Sequence, residues 1–399
     1  MIAGGEPAPA ADGLLTREEA VRRARALAPT IAERARRAEQ ERRVPRESID
    51  AIVAAGLGRI LQPRRWGGYE VSHDAAFDVA VEISAACGST GWCASLLNIH
   101  DWWLAAFPDE AQHDVWRDTP DVNLAAVISP LGGKATAVNG GYRVSGHWGW
   151  ASGIDHCPWL IITAMSAGKD DKPEPRCLVV PAKDCKVHDN WFNVGLKGTG
   201  SKDIFIDDIF VPAHRSLALA DLREATSPGA QVNTGPLYRV PLIARNYALA
   251  APALGIARGA FDNWIEWTRK RVASFSGEAI AEQGSVQTEI AEAEAQLDFA
   301  EFLMRRNLGF IRDGQPVDLP TRALCSYANA HAVREICKAV LTLFRLSGSR
   351  GMFDESPIQR AWRDVHTLAS HVSLNPVAAG QLRGRALLGV PRDPKLQMY

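Results

Sequence analysis

Residues 146–159, Gly-His-Trp-Gly-Trp-Ala-Ser-Gly-Ile-Asp-His-Cys-Pro-Trp, place three indoles, two imidazoles and the hydroxyl of Ser152 in one short run. Indoles offer flat, semi-polar walls suited to a planar aromatic ring, although the same letters also suit the core of a β-domain. Farther along, Arg360, Asp364, Thr367 and His371 recur at helical spacing and share a face, while His366 lies about 140° around the axis from His371. An imidazole near the end of such a helix can do acid–base chemistry at neutral pH, or be a solvated or core-satisfied histidine. His100 stands in the run Asn98-Ile99-His100-Asp101-Trp102-Trp103, where a ring-binding wall and an ordinary amphipathic helix read alike. The loop Leu196-Lys197-Gly198-Thr199-Gly200-Ser201 could form a backbone nest for an anion or a flavin edge.

The elements that must position these groups fall into three blocks. Residues 1–13, rich in Ala, Pro and Gly, read as a tail. Thr16 and Glu19 form a candidate capping box for a helix running to about residue 43, and Pro45 opens a second helix that stops at Gly56 and Gly58. Residues 75–86 and 92–107 have helical apolar spacing, so 14–121 reads as an N-terminal helical domain. Short β-rich runs at 142–144, 159–164, 177–181 and 204–211, separated by Gly, Asp, Asn and Pro turns, make 122–222 an antiparallel β-domain containing Ser152. A polar linker, 223–236, leads to 237–399. There, three long amphipathic patterns (through Tyr247, Ile290 and Val333) predict an antiparallel helical bundle. A final helix is expected from Ser356, with Pro357 at its first position and Gln359 completing a second capping box.

Composition narrows the function. The 399 residues carry 45 basic and 46 acidic side chains, a net charge of -1, which indicates no nucleic-acid or anionic-membrane partner. No apolar run reaches a membrane span, and no basic region followed by an apolar core opens the chain, so a cytoplasmic protein is expected. Seven Cys with no C-x-x-C spacing argue against a zinc site or a disulfide framework. There is no H-E-x-x-H, G-x-S-x-G or metal-spaced cluster, and no G-x-G-x-x-G after a strand. Residues 196–201 precede a strand pattern rather than a helix, which rules out a Walker or dinucleotide loop. Metallohydrolase, serine hydrolase and integral nicotinamide readings are disfavoured.

Several strings, in order along nearly the whole chain, resemble the acyl-CoA dehydrogenase fold: mostly α, with a central β-domain between an N-terminal helical domain and a C-terminal helical bundle. They are Gly56-Leu57 leading to Pro63 and Gly67-Gly68; Gly195-Leu196-Lys197-Gly198-Thr199-Gly200-Ser201-Lys202-Asp203 with Val211-Pro212; Leu254-Gly255-Ile256-Ala257-Arg258-Gly259-Ala260; and Arg360-Ala361-Trp362-Arg363-Asp364. The dehydrogenases need a carboxylate base to take an α-proton. Neither place where the family carries its Glu holds one here: the first reads Val365-His366-Thr367-Leu368-Ala369-Ser370-His371, the second Ile243-Ala244-Arg245.

The chain thus resembles the two-component, reduced-flavin-dependent monooxygenases of this fold, such as the 4-hydroxyphenylacetate and steroid-phenol hydroxylases. The resemblance implies an oxygenase component that uses reduced FMN, with FAD as an alternative, and O2 through a C4a-hydroperoxide to hydroxylate a phenolic or polycyclic aromatic substrate. It implies a separate flavin reductase and a homotetramer. By resemblance, Trp150-Ala151-Ser152 matches the family's Trp-x-Ser at the flavin, with Ser152 accepting from flavin N5-H, and His371 acts on the substrate phenol. His100, Ser129 and Trp103 are implied substrate contacts, and Trp150, Trp191, Thr199, Ser201, Arg271 and Phe275 implied flavin contacts. The family's flavin-contacting Arg is followed three residues later by an aromatic, whereas here that place holds Ser274, with Phe275 next. Alternatives are an N- or S-oxygenase, a dehydrogenase with a displaced base, and a non-catalytic flavin-fold protein.

Overall fold

The computed structural model describes residues 14–168, 172–274 and 276–391; the expected tail at 1–13 and Phe275 lie outside these. The chain opens with five helices: α1 (Arg17–Glu41), α2 (Arg46–Ala54), α3 (His73–Ala86), α4 (Gly88–Leu104) and α5 (Asp109–Trp116). Thr16 caps α1 by accepting the Glu19 N–H at 3.1 Å. The Glu19 carboxylate turns instead to Arg22 and Arg23, so the expected box is only half made. Ala20, Ala24, Ile31, Ala35 and Ala38 form the buried stripe of α1. In α4 nearly every residue is buried, the signature of a helix enclosed on all sides rather than lying on the surface. That enclosure carries Trp92, His100 and Trp103 inside the molecule.

The middle of the chain forms a sheet of β1 (Leu124–Val127), β2 (Gly133–Val138), β3 (Gly141–Ala151), β4 (Trp159–Ala167), β5 (Pro173–Pro181), β6 (Lys186–His188), β7 (Lys202–Pro212) and β8 (Ser216–Ala218). The order is β6-β7-β3-β2-β4-β5-β8, with β1 also on β4. The expectation of an antiparallel sheet needs correcting, because β1 and β2 both run parallel to β4. The run 146–159 is not one strand either: it comprises the end of β3, a turn at Ser152 and Gly153, a helical turn at Ile154–His156 and the start of β4. Two short helices follow, α6 (Leu219–Glu224) and α7 (Gly229–Val232), the latter inside the expected linker.

The bundle is α8 (Asn246–Thr268), α9 (Gly284–Gly309), α10 (Leu319–Leu346), α11 (Pro357–Ala369) and α12 (Pro376–Leu387). Gly255 and Gly259 let α8 approach α3, since a Cβ on either would stand 2.2 Å from a carbonyl of Val81 or Ala85. Ser95 of α4 also donates to the α8 carbonyl of Ala248 at 2.8 Å. Two expectations fail at α11. Ser356 makes no side-chain cap bond and Gln359 turns to Asp354 and Arg363, so the second capping box is absent. The helix stops at Ala369, which puts His371 in an extended turn beyond it, and α12, capped by Asn375 with Pro376 at its first position, is the last helix described.

Candidate functional site

A cavity of about 480 Å³ opens where β3 breaks its register. The bulge between Trp148 and Ala151 interrupts the alternation of faces. Trp148 stays in the core at 1% exposure, its indole N–H donating to the Thr163 carbonyl at 2.8 Å. Gly133 makes room for that ring, since a Cβ there would fall 2.1 Å from it. Trp150, held at φ 67, turns outward at 70% exposure and walls the cavity. A bulky residue in this backbone region is strained, and such strain concentrates at functional sites. Ser129, Trp191, Phe192 and Ser201 complete the walls, and His147, paired with Asp203 at 2.6 Å, sits among them.

Behind this wall runs a line of hydroxyls. Ser152 Oγ accepts the Trp92 indole N–H at 3.1 Å and lies 2.7 Å from Ser201 Oγ, which lies 2.7 Å from Thr199 Oγ1. Thr199 donates to the Leu196 carbonyl at 2.9 Å, and the Trp191 indole N–H donates to the same oxygen at 3.0 Å. Leu196 has the left-handed φ of 49, and its N–H donates to Asp364 Oδ1 at 2.6 Å. The loop 196–201 is therefore tied through one residue, Leu196, to α11. Burial pushes the Asp364 carboxyl up to about 6.

Trp92 leads on to His371, whose ring centre is 5.9 Å away. Burial lowers the His371 pKa to about 4, with the charge of Arg245 contributing. His100 is likewise lowered to about 4, first by burial and also by Arg245. Arg245 donates to Ser373 Oγ at 3.0 Å, and the Ser373 N–H donates to His371 Nδ1 at 3.1 Å. His100 Nδ1 lies 2.7 Å from the Leu124 carbonyl. A carbonyl only accepts, so His100 carries its proton on Nδ1 and keeps a bare Nε2; His371, accepting at Nδ1, carries its proton on Nε2. Two neutral imidazoles, one an acceptor and one a donor, thus lie under the influence of one guanidinium.

The structure brings the expected residues together unevenly. Ser129, Trp150, Trp191 and Ser201 line the cavity; Ser152 and Thr199 bond directly to Ser201. His100 and Trp103 are buried with their rings 6.4 Å apart, and neither they nor His371 line the cavity. His366 turns away, bonding the Trp362 carbonyl at 2.7 Å. Arg271 reaches Leu346 and Ser347 carbonyls and stacks over Trp267 at 4.0 Å, none of which lines the cavity. Sequence reasoning missed Trp92, hidden in an apolar helix pattern, and Arg245, which stands where a Glu was sought and whose own charge went unread. Among the described residues no group of His, Cys, Asp and Glu could hold a metal ion, and all seven cysteines are free.

Residues 16–118 match the family model "Acyl-CoA dehydrogenase, N-terminal domain" and residues 247–376 "Acyl-CoA dehydrogenase, C-terminal domain". The chain is 35% identical over 373 residues to a flavin-dependent monooxygenase, oxygenase subunit HsaA, of Rhodococcus jostii, covering 92% of this chain and 97% of that one. It is 35% identical over 378 residues to an FADH(2)-dependent resorcinol hydroxylase, oxygenase component, of a Rhizobium species, covering 91% and 92%. The crystal structure of 3-HSA hydroxylase from Rhodococcus sp. RHA1 superposes with a TM-score of 0.90 at 34% identity, covering 95% and 99%.

Proposed function

This chain belongs to the flavin-dependent monooxygenase oxygenase components built on the acyl-CoA dehydrogenase fold, and from that premise we propose that it hydroxylates a phenolic or polycyclic aromatic substrate. The reduced flavin comes from a separate reductase. One oxygen atom of O2 enters an aromatic C–H bond and the other leaves as water, the flavin giving two electrons.

The residues present fit a flavin. A cavity of about 480 Å³ is within the range of small-molecule sites, and its walls are aromatic planes beside a hydroxyl run. Trp150, Trp191 and Ser201 would hold the ring system, with Ser152 as acceptor for N5-H and Thr199 behind. When bound, reduced flavin supplies the electrons and the carbon at which O2 is activated. The carrying observation is the run from Ser201 and Ser152 through Trp92 to His371, which joins the proposed flavin wall to a half-buried imidazole.

The tautomers divide the work on the substrate. His100 Nε2, bare, accepts the hydrogen bond of a phenol hydroxyl, assisted by Ser129. A ring held near pKa 4 is a weak base, but the Arg245 charge that disfavours imidazolium also favours phenolate. His371 presents Nε2-H as a donor and polarises the phenol, which leaves its deprotonation to His100. Trp103 packs beside His100 as part of the pocket wall, and the buried indoles keep water out.

The same proposal includes FMN as the flavin, by resemblance, with FAD as the alternative that the FADH(2)-dependent relative represents, together with a homotetramer and a cytoplasmic setting. No helix of the described residues is long and apolar enough to cross a membrane. The test is to mix the purified chain with reduced FMN or reduced FAD, air and a panel of phenols, and score product mass. Gain of one oxygen atom on a phenol, better with FMN, is expected; gain only on amines or thioethers would overturn the reading.

A further inference from the structure

Ser201 in the cavity wall, with Ser152 and Thr199 bonded to it from behind, forms a run of three hydroxyls that admits one arrangement of protons. Each hydroxyl has one proton and two lone pairs. The Leu196 carbonyl only accepts, so the proton in its 2.9 Å contact with Thr199 Oγ1 belongs to Thr199. That proton being used, the 2.7 Å contact between Thr199 and Ser201 must hold the Ser201 proton, and the 2.7 Å contact between Ser201 and Ser152 must hold the Ser152 proton. The Trp92 indole only donates, so Ser152 accepts from it as well. The reverse order leaves the Thr199 and Leu196 oxygens facing each other with no proton between them. Ser152 and Ser201 are therefore left with one free lone pair each and no free proton.

The end of the chain cannot easily rotate away. Leu196 is held at both of its backbone polar groups, by Asp364 at its N–H and by the Trp191 indole at its carbonyl. Both the loop and α11 thus hold the one acceptor that sets the direction of the whole run.

Reduced flavin bears a proton at N5, whereas oxidised flavin has a bare, accepting N5. We propose that Thr199, bonded to Leu196, fixes the hydroxyls as acceptors and so makes the cavity select reduced over oxidised flavin. Thr199 is a positioning residue acting on Ser152 through Ser201. The selection retains the electron donor until it has reacted and lets the oxidised product leave for the reductase. This rests on the reading of the cavity as the flavin site.

Anaerobic titration of the purified chain with oxidised FMN and with photoreduced FMN measures the ratio of the two dissociation constants. The parent is expected to favour reduced FMN by about tenfold or more, the scale of one well-made hydrogen bond. Thr199→Val brings the ratio to within about threefold of unity, because Ser201 can then turn its proton toward Ser152, and Thr199→Ser restores it. Ser201→Ala, which frees the Ser152 proton, gives the same collapse and serves if Thr199→Val does not fold. A merely structural defect weakens both forms alike and leaves the ratio unmoved. Parental ratios in both Thr199→Val and Ser201→Ala would overturn the relay alone, whereas a parent that binds neither flavin would overturn the flavin cavity with it.

Discussion

At the scale of the residue, the imidazole tautomers decide more than histidine content does. The resemblance has His371 act on the phenol, by deprotonating or polarising it; the Ser373 N–H makes its Nδ1 an acceptor and its Nε2 a donor, while the Leu124 carbonyl makes His100 Nε2 an acceptor, and on these tautomers we propose polarisation by His371 and deprotonation by His100. His100→Ala is expected to lower product formation by about 100-fold with flavin affinity unchanged, as measured by single-turnover hydroxylation and flavin titration. Parental turnover would return the base to His371. The buried His73 and His100, both lowered to about 4, also set an acid limit. Unfolded, each takes a proton near pH 6.5; folded, only near 4. The stability each contributes, about 3 kcal/mol, is whole above pH 6.5 and is lost as pH falls toward 4. Urea midpoints should fall steadily from pH 6.5 to 4.5, and His100→Gln should flatten that slope by about 1.4 kcal/mol per pH unit. A slope unchanged by His100→Gln would contradict the assignment.

At the scale of the element, irregularities place the site, and these left little trace in the letters. A strict two-residue period would put Trp148 and Trp150 on one face; across the bulge Trp148 is buried at the back of the cavity and Trp150 stands exposed at its wall. Helical spacing put His371 on α11, but the helix ends at Ala369 because the chain turns toward the Asn375 cap of α12. Where periodicity ran unbroken, in α1, α3, α8, α9 and α10, it was legible. The loop 196–201 was legible as a nest, but its anchor on Asp364 depends on contact across the fold. Asp364→Ala leaves the buried Leu196 N–H unpaired, so a loss of about 1–3 kcal/mol in denaturant unfolding is expected, with weaker flavin binding. Asp364→Asn keeps an acceptor and removes the burial cost that a carboxylate bears above its pKa of about 6, so at pH 7 it should match or exceed the parent. If Asp364→Asn lost as much as Asp364→Ala, charge rather than the acceptor would be what matters.

At the scale of the whole molecule, the order of helices, sheet and bundle was readable because matching strings recur along the chain. The parallel pairing of β1 and β2 with β4 was not, since strands distant in sequence carry no local sign of their partner. For the proposed tetramer, Phe302, 63% exposed on α9, is the side chain at which a subunit contact is tested. Phe302→Asp is expected to shift light-scattering mass below that of four chains, and an unchanged mass would exclude that face from the assembly. The central claim, that the Ser152 wall directs oxygen from a reduced flavin into an aromatic ring, meets its most direct test in 18O2. Labelled product and hydrogen peroxide are counted per reduced FMN consumed, for the parent and Ser152→Ala. The account predicts labelled phenolic product from the parent, and a diversion of about tenfold or more toward peroxide in Ser152→Ala. Unlabelled product, or equal coupling in the two proteins, would contradict it.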